Sequence, residues 1–355
     1  MAILFMDWRR VSISGTTFNQ IVTGALGDNE FMMKPIFAFF SFLLCVNCTT
    51  IPLAQDTSVR RLVVENPSRL SMELLRVNGD SMSLGDAERT VLDLESDRYV
   101  ITANGVEFSV PLLVSPMGES QTMTITLEPA NAALPGFVFV PGGPTLIGDV
   151  LGVGAVDERP VHIANVDSFL VAKYETSSSQ YCAFLNAQST FNEEWLDLGG
   201  PKCHISRAAK GTFETDAPMM PVVTVSYDGA TEYCKWRSSS TGRTHRLPSE
   251  IEWERIARGP ESSTYAYGDT YDPDSANQES GKLMEIGSFP ATGWGTFDVT
   301  GNAFEWTSSW YAPGLRVLKG GSYVLDGPYL RNSFRMWYRP LVQADDIGFR
   351  VIQEL

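Results

Sequence analysis

Between Ser58 and Pro129 apolar and polar positions alternate in short runs: Val63, Leu70 to Val77, Val91 to Leu94, Tyr99 to Ala103, Val106 to Val114 and Met123 to Leu127. A period of two sends successive side chains to opposite faces, so each run reads as a strand with one face to bury. Asn78-Gly79-Asp80 and Asn104-Gly105 separate such runs, and Asn-Gly tolerates the positive φ that a tight hairpin turn demands. The expectation is a small all-β, sandwich-like module over residues 58–129. Pro129 to Pro135 reads as a linker.

Beyond it the period lengthens. Ser249-Glu250-Ile251-Glu252 is a capping box, and Trp253, Ile256 and Ala257 then recur at helical spacing until Gly259. Ser226 opens a second helix carrying Tyr227, Ala230, Tyr233, Cys234 and Trp236, and Thr176 opens a third through Tyr181, Phe184 and Leu185. Three short helices in a chain otherwise made of strands and loops predict an α+β domain over residues 134–355.

The leader has a different pattern. Met33-Lys34 precedes an apolar run from Ile36 to Val46, and polar residues follow before Ala54. That order reads as a signal peptide over residues 33–54, too short in its apolar part to span a membrane. Residues 1–31 carry no such pattern, so translation is expected to start at Met32 or Met33 and the whole of 1–54 to be a discarded leader. The protein is then exported: periplasmic, displayed on the outer surface or secreted. A lipid on Cys48 is the alternative, and the sole membrane attachment expected.

Composition narrows the function. The 42 acidic residues against 27 basic ones give a charge of -15, which excludes a general nucleic-acid binder. Five cysteines are too few for a disulfide scaffold. After the leader only Cys182, Cys203 and Cys234 are assured, enough for one disulfide whose pairing the sequence leaves open. His162, His204 and His245 are scattered, without the helical spacing of a metal-binding pair. Asp157-Glu158 and Asp345-Asp346 read as solvated loop carboxylates.

An ordered set of segments carries a family likeness. It comprises Phe137-Val138-Phe139-Val140-Pro141-Gly142-Gly143, Asp157-Glu158-Arg159-Pro160, Tyr174-Glu175-Thr176, Pro221 to Ser226, Arg246 to Glu254, Gly301-Asn302-Ala303-Phe304-Glu305-Trp306, Lys319-Gly320-Gly321-Ser322 and Ile347-Gly348-Phe349-Arg350. Together they resemble the formylglycine-generating enzymes, or sulfatase-modifying factors, over Leu134 to Leu355. The resemblance implies a C-type-lectin-like fold low in regular elements. The β module loosely resembles the PEGA-type modules of exported bacterial proteins.

The same resemblance implies where chemistry would lie. The family's oxidases hold copper(I) on a Cys-x4-Cys pair between Gly-Gly-Ser and Gly-Phe-Arg, but Leu325 and Leu330 stand at those places, and copper chemistry is not expected. The family's calcium loop is matched by the side chains of Asp298 and Glu305 and the carbonyls of Gly301 and Ala303, an oxygen set suited to a hard cation. The alternative there is a tight turn without metal, in which Glu305 caps backbone amides. A second calcium position would use Asn277 and the carbonyl of Gln278.

The segment from Gly321 to Ile347 corresponds to the substrate groove of the enzymes and the ligand face of lectin-like binders. Tyr323, Asp326, Tyr329, Arg331, Trp337 and Tyr338 form the candidate ligand set, since aromatics and Arg give rigid, directional contacts. Tyr323 to Tyr329 are expected to be partly exposed, Phe334 inward, and Arg335 and Arg350 in structural ion pairs. The resulting expectation is an exported, non-catalytic binding protein for a protein or small-molecule ligand. One alternative is a divergent oxidase or maturation enzyme acting on a protein or small thiol. Another is a variable protein of a diversity-generating retroelement, because those resemble this layout and mutate the segment after Gly-Gly-Ser.

Overall fold

The computed structural model describes residues 60–112, 122–127 and 135–355; the leader, Cys48 and linker residues 129–134 lie outside them. The first region folds as seven strands: β1 (Arg60–Glu65), β2 (Met72–Arg76), β3 (Ser81–Gly85), β4 (Arg89–Leu94), β5 (Asp97–Ala103), β6 (Val106–Leu112) and β7 (Thr122–Thr126). They form two sheets, β4-β1-β7 and β3-β2-β5-β6. Leu62 and Val64 from the first share one buried cluster with Met72, Leu74, Ile101, Phe108 and Val110 from the second, which is how alternating strands make a sandwich.

Its hairpins follow the turn chemistry with one difference. Ala103 pairs with Val106 across a two-residue turn, with Asn104 at φ 48° and Gly105 at φ 78°, the doubly positive geometry that matches strand twist. At Asn78 only the asparagine takes positive φ, and the Arg76 N–H bonds to Asp80 O at 3.1 Å. The loop therefore widens to Val77-Asn78-Gly79.

The second region is α+β. Its strands are β8 (Phe137–Val140), β9 (Gly143–Ile147), β10 (His162–Val166), β11 (Phe169–Ala172), β12 (Ile205–Arg207), β13 (Phe213–Thr215), β14 (His245–Arg246), β15 (Phe304–Ala312), β16 (Leu315–Lys319), β17 (Met336–Tyr338), β18 (Ile347–Gly348) and β19 (Ile352–Gln353). The helices are α1 (Ser178–Ala187), α2 (Tyr227–Thr241) and α3 (Glu250–Arg258). One sheet, β14-β19-β11-β8, draws the last strand between earlier ones, and a second, β17-β16-β15-β18, carries the candidate site. Tyr181, Phe184, Tyr233, Trp306 and Phe349 centre the main core.

The caps explain the helix starts. Ser249 Oγ accepts from Glu252 N–H at 3.3 Å while the Glu252 carboxylate accepts from Ser249 N–H at 2.7 Å. Ser226 caps α2 through Gly229 N–H at 3.0 Å. For α1 the cap is Ser177, boxed with Gln180, and not Thr176. The Thr176 backbone is already committed, its N–H to Phe349 O and its carbonyl to Val222 N–H.

The two regions pack as one compact unit. Arg98 on β5 grips Asp269 with two nitrogens at 3.1 and 2.5 Å and also donates to Ser262 O at 3.0 Å. Ser109 on β6 shares a buried hydrogen bond with Ser262 at 2.8 Å, and Phe139 on β8 packs against the sandwich core. Burial opposes ionisation of Asp269, but Arg98 and the Thr264 donors outweigh it and hold its carboxyl below the usual 3.8. A carboxylate with a depressed folded pKa contributes stability above its unfolded value and loses it as pH falls through the folded one. Arg98→Gln should therefore lower the melting temperature most near neutral pH, and the gap to wild type should narrow in thermal scans as the pH falls below the usual carboxylate value of 3.8. Ser249→Ala should cost roughly 1 kcal/mol in denaturant unfolding through loss of its cap.

Candidate functional site

The segment Phe297–Glu305 turns tightly because Asp298, Gly301 and Asn302 take φ of 54°, 79° and 61°. At Gly301 any side chain would collide with the Asn277 carbonyl, so close approach as well as φ requires glycine. Asn277 and Gly301 form a bridge, and Asn302 N–H donates to Asn277 O at 2.9 Å. Gly301 N–H reaches Gly320 O at 2.8 Å, and Asn302 O accepts from Tyr323 N–H at 2.9 Å. Both expected calcium positions and the start of the ligand segment thus meet at this loop.

The side chains are then spoken for. Asn302 Oδ1 accepts from Asn277 Nδ2 at 2.8 Å and Met284 N–H at 2.9 Å, and its amide donates to buried Glu175 at 3.0 and 3.2 Å. The Asp298 carboxylate accepts from Phe289 N–H at 2.9 Å and from Gly287 N–H. Burial raises its pKa, and those amide bonds oppose the rise. Glu305 faces the core, where Arg350 Nε reaches both its oxygens at 2.8 Å, Arg350 Nη2 reaches Oε1 at 2.6 Å and Trp253 Nε1 donates to Oε2 at 2.7 Å.

Of the expected calcium set Asp298, Gly301, Ala303 and Glu305, both carboxylates already have protein partners. A cation on Glu305 would share its carboxylate with a guanidinium 2.6 Å away, and the Asp298 oxygens already cap a loop. The metal-free turn also differs from expectation, since Asp298, and not Glu305, caps the amides. Asn277 Oδ1 accepts from Ser280 Oγ at 2.5 Å, and Gln278 Oε1 accepts from Tyr271 OH at 2.9 Å. Glu175 is the carboxylate that sequence reasoning missed. Burial pushes its pKa well up, the charges of Asp298 and Glu305 add to this, and Arg350 and Asn302 oppose it.

The ligand set divides. Tyr323, expected at the surface, is buried against Val223, Leu283 and Ala303, with Lys202 Nζ 5.6 Å from its ring centre. Burial, with Asp346 and Asp345 nearby, pushes its phenol up to about 12. Arg331 turns inward to Glu158 at 2.9 and 3.3 Å, joined there by Ser333 Oγ at 2.7 Å. Glu158 is therefore buried and paired, not solvated, and Asp346 accepts from Ser322 Oγ at 2.8 Å. Asp326 is half-buried and precedes a single turn, Gly327–Tyr329. Tyr329 is exposed, edge-on to Phe334 at 5.3 Å; Trp337 is exposed and stacks on Tyr311 at 5.5 Å. Tyr338 and Phe334 lie at the margin of the main core. Arg335 pairs with Glu250 at 2.6 and 2.9 Å, and it and Arg350 are in ion pairs as expected.

Trp310 is a further exposed aromatic, with the Arg316 guanidinium 3.4 Å from its ring centre and 4.2 Å from that of Tyr227. Its signal was the Trp310-Tyr311 pair ending a strand: neighbouring residues of a strand point oppositely, so both cannot enter the core.

The sequence profile of the sulfatase-modifying factor enzyme 1-like domain matches residues 124–355. The chain belongs to the sulfatase-modifying factor family. The formylglycine-generating enzyme of Streptomyces coelicolor is 27% identical over 296 residues, 63% of this chain and 92% of that protein. The mouse protein named inactive C-alpha-formylglycine-generating enzyme 2 is 28% identical over 275 residues, 63% of this chain and 87% of its own length. The solved structure of PvdO from Pseudomonas aeruginosa shares the fold, with a TM-score of 0.51 and 24% identity over 62% of this chain and 94% of that one.

Within this sulfatase-modifying factor domain, Leu330 is buried with Tyr265 and Ala276, and Leu325 packs against the main core. Cys182, Cys203 and Cys234 are all free thiols, so the disulfide that export permits is not formed among them. Burial pushes Cys182 up to about 11 and Cys234 up to about 12, and raises Cys203 too. Such thiols stay protonated and inert. Glu305→Gln should cost about 3–5 kcal/mol in urea unfolding, because Arg350 is left buried without its counter-charge. The double variant E305L/R350M should recover most of that loss.

Proposed function

We propose that this protein is a non-catalytic member of the family, exported from the cytoplasm, that binds a protein or small-molecule ligand through its C-terminal domain. The observation that carries the reading is Leu325 and Leu330, apolar and packed where the family's oxidases need two thiolates. The name of the mouse relative supports it, since that protein is called inactive at a comparable level of identity. The protonated upstream thiols offer no substitute ligand pair. Tyr329 and Trp337, exposed and braced by Phe334 and Tyr311, supply the contact face, with Asp326 three residues before Tyr329. Rigid aromatics lose little conformational entropy on binding.

The test is oxygen uptake by the purified protein, loaded with copper(I) or iron(II), in the presence of a cysteine-containing peptide. No uptake above the metal blank is expected; stoichiometric metal with sustained uptake overturns the reading in favour of a divergent oxidase. Calcium is settled in the same preparation by titration after chelation. Stoichiometric binding with a rise in melting temperature makes calcium a brace of the Asp298–Glu305 loop, and its absence leaves that role to Arg350.

A further inference from the structure

Ser262-Ser263-Thr264 opens a loop in which Tyr265 and Tyr267 follow two apart and Asp269 comes after Gly268. Tyr265 N–H reaches Gly268 O at 2.8 Å and Gly268 N–H reaches Tyr265 O at 3.2 Å, a tight turn that brings Asp269 back alongside Thr264. Its Oδ1 accepts from Thr264 N–H at 3.0 Å and from Thr264 Oγ1 at 3.1 Å. The two tyrosine rings stack 5.3 Å apart. One half-buried carboxylate, more than any strand ladder, thus shapes this loop.

The β module holds that carboxylate. Both terminal nitrogens of Arg98 reach it, one of them also donating to Ser262 O, and Ser109 bonds the Ser262 hydroxyl. Ser262 sits at φ 59°, a conformation that a non-glycine residue keeps only where its surroundings enforce it. Hydrogen bonds between charged groups are roughly twice as strong as neutral ones. Without Arg98, Asp269 keeps only the neutral donors of Thr264 among the described residues.

The far edge of the loop meets the ligand segment. Thr264 O accepts from Asn332 N–H at 2.8 Å, and Ser263 O accepts from Asn332 Nδ2 at 3.0 Å. Tyr265 is buried with Leu330. The exposed Tyr271 lies so close to Gly327 that a β-carbon there would meet its ring at 2.5 Å. Thr264 is therefore shared: its N–H and hydroxyl are bound to Asp269 and its carbonyl to Asn332. A displacement of Asp269 is felt at Asn332 through one residue.

We propose that the β module positions the ligand segment: Arg98, acting through Asp269 and Thr264, fixes Asn332 and with it the Gly327–Tyr329 turn, against which it also seats Tyr271. Arg98 is a positioning residue, and it lies outside the span that the family profile matches. The module is then part of the binding unit and more than a spacer that carries it. This rests on the ligand-binding reading only for the role of the segment, since the hydrogen bonds that couple module and segment are the same whatever the segment contacts.

The experiment is amide hydrogen exchange read by mass spectrometry on the full chain, without ligand and well below the melting temperature of every variant. R98Q should speed exchange about tenfold or more in both 262–272 and 327–333, and leave α1 and α2 at wild-type rates. R98K, which keeps the charge and loses the fork, should fall between and keeps the test open where R98Q folds poorly. S226A, which loses the cap of α2 and with it a comparable share of stability, should change neither segment. Faster exchange in 262–272 with 327–333 unchanged in R98Q and R98K overturns the proposal, and so does the same two-segment pattern in S226A, which would reduce Arg98 to a source of overall stability. Because no ligand is present, these rates stand or fall apart from the oxygen-uptake test of the binding reading.

Discussion

The bidentate pair between Glu305 and Arg350 lies wholly out of solvent and ties stretches of chain far apart in sequence. Arg350 donates to Phe297 O at 3.0 Å, and Glu305 receives the indole N–H of Trp253 from α3. The opening of β15, the Asp298 loop and the helix are therefore held to one point. A pair of this kind is no guarantee of net stability, because desolvating two ions offsets most of their attraction. Its force lies in exclusion: any arrangement that separates the partners strands a charge in the core. Burial alone would lower the Arg350 guanidinium pKa, but Glu305 outweighs it, with smaller contributions from Glu175 and Asp298.

This logic recurs through the domain. Lys319 and Arg258 meet Glu254 at 3.0 and 2.9 Å, all three buried, and Arg331 meets Glu158. Arg255 spreads its guanidinium over the carbonyls of Pro141, Gly142 and Pro144. With so few regular elements, many backbone groups of the loops must find partners outside any ladder, and buried charged side chains provide them. The surface left over is aromatic along β15 and β17, where Trp310 and Trp337 are exposed.

Much of the local structure was legible. The Ser249 capping box, the two hairpins and the helical stripes depend on residues within four positions of one another, and sequence shows those directly. The shift of a cap from Thr176 to Ser177 came from a contact with Phe349, distant in sequence and invisible to local pattern. Tyr323 and Arg331 look like surface residues by type, but Asn302 draws the first inward and Glu158 the second. Arg350 was expected in an ion pair and Glu305 on a calcium loop, but no local pattern joined the two residues; only the fold shows that Arg350 is the partner of Glu305.

The clasp formed by Arg98, Ser109, Ser262 and Asp269 changes what counts as a separable piece. The family likeness starts at residue 124, within β7, a strand whose hydrogen-bonded neighbour is β1 of the sandwich. A fragment cut to the family boundary would carry that strand without its mate and would lay Phe139 bare. The unit that evolution reuses is shorter here than the unit that folds.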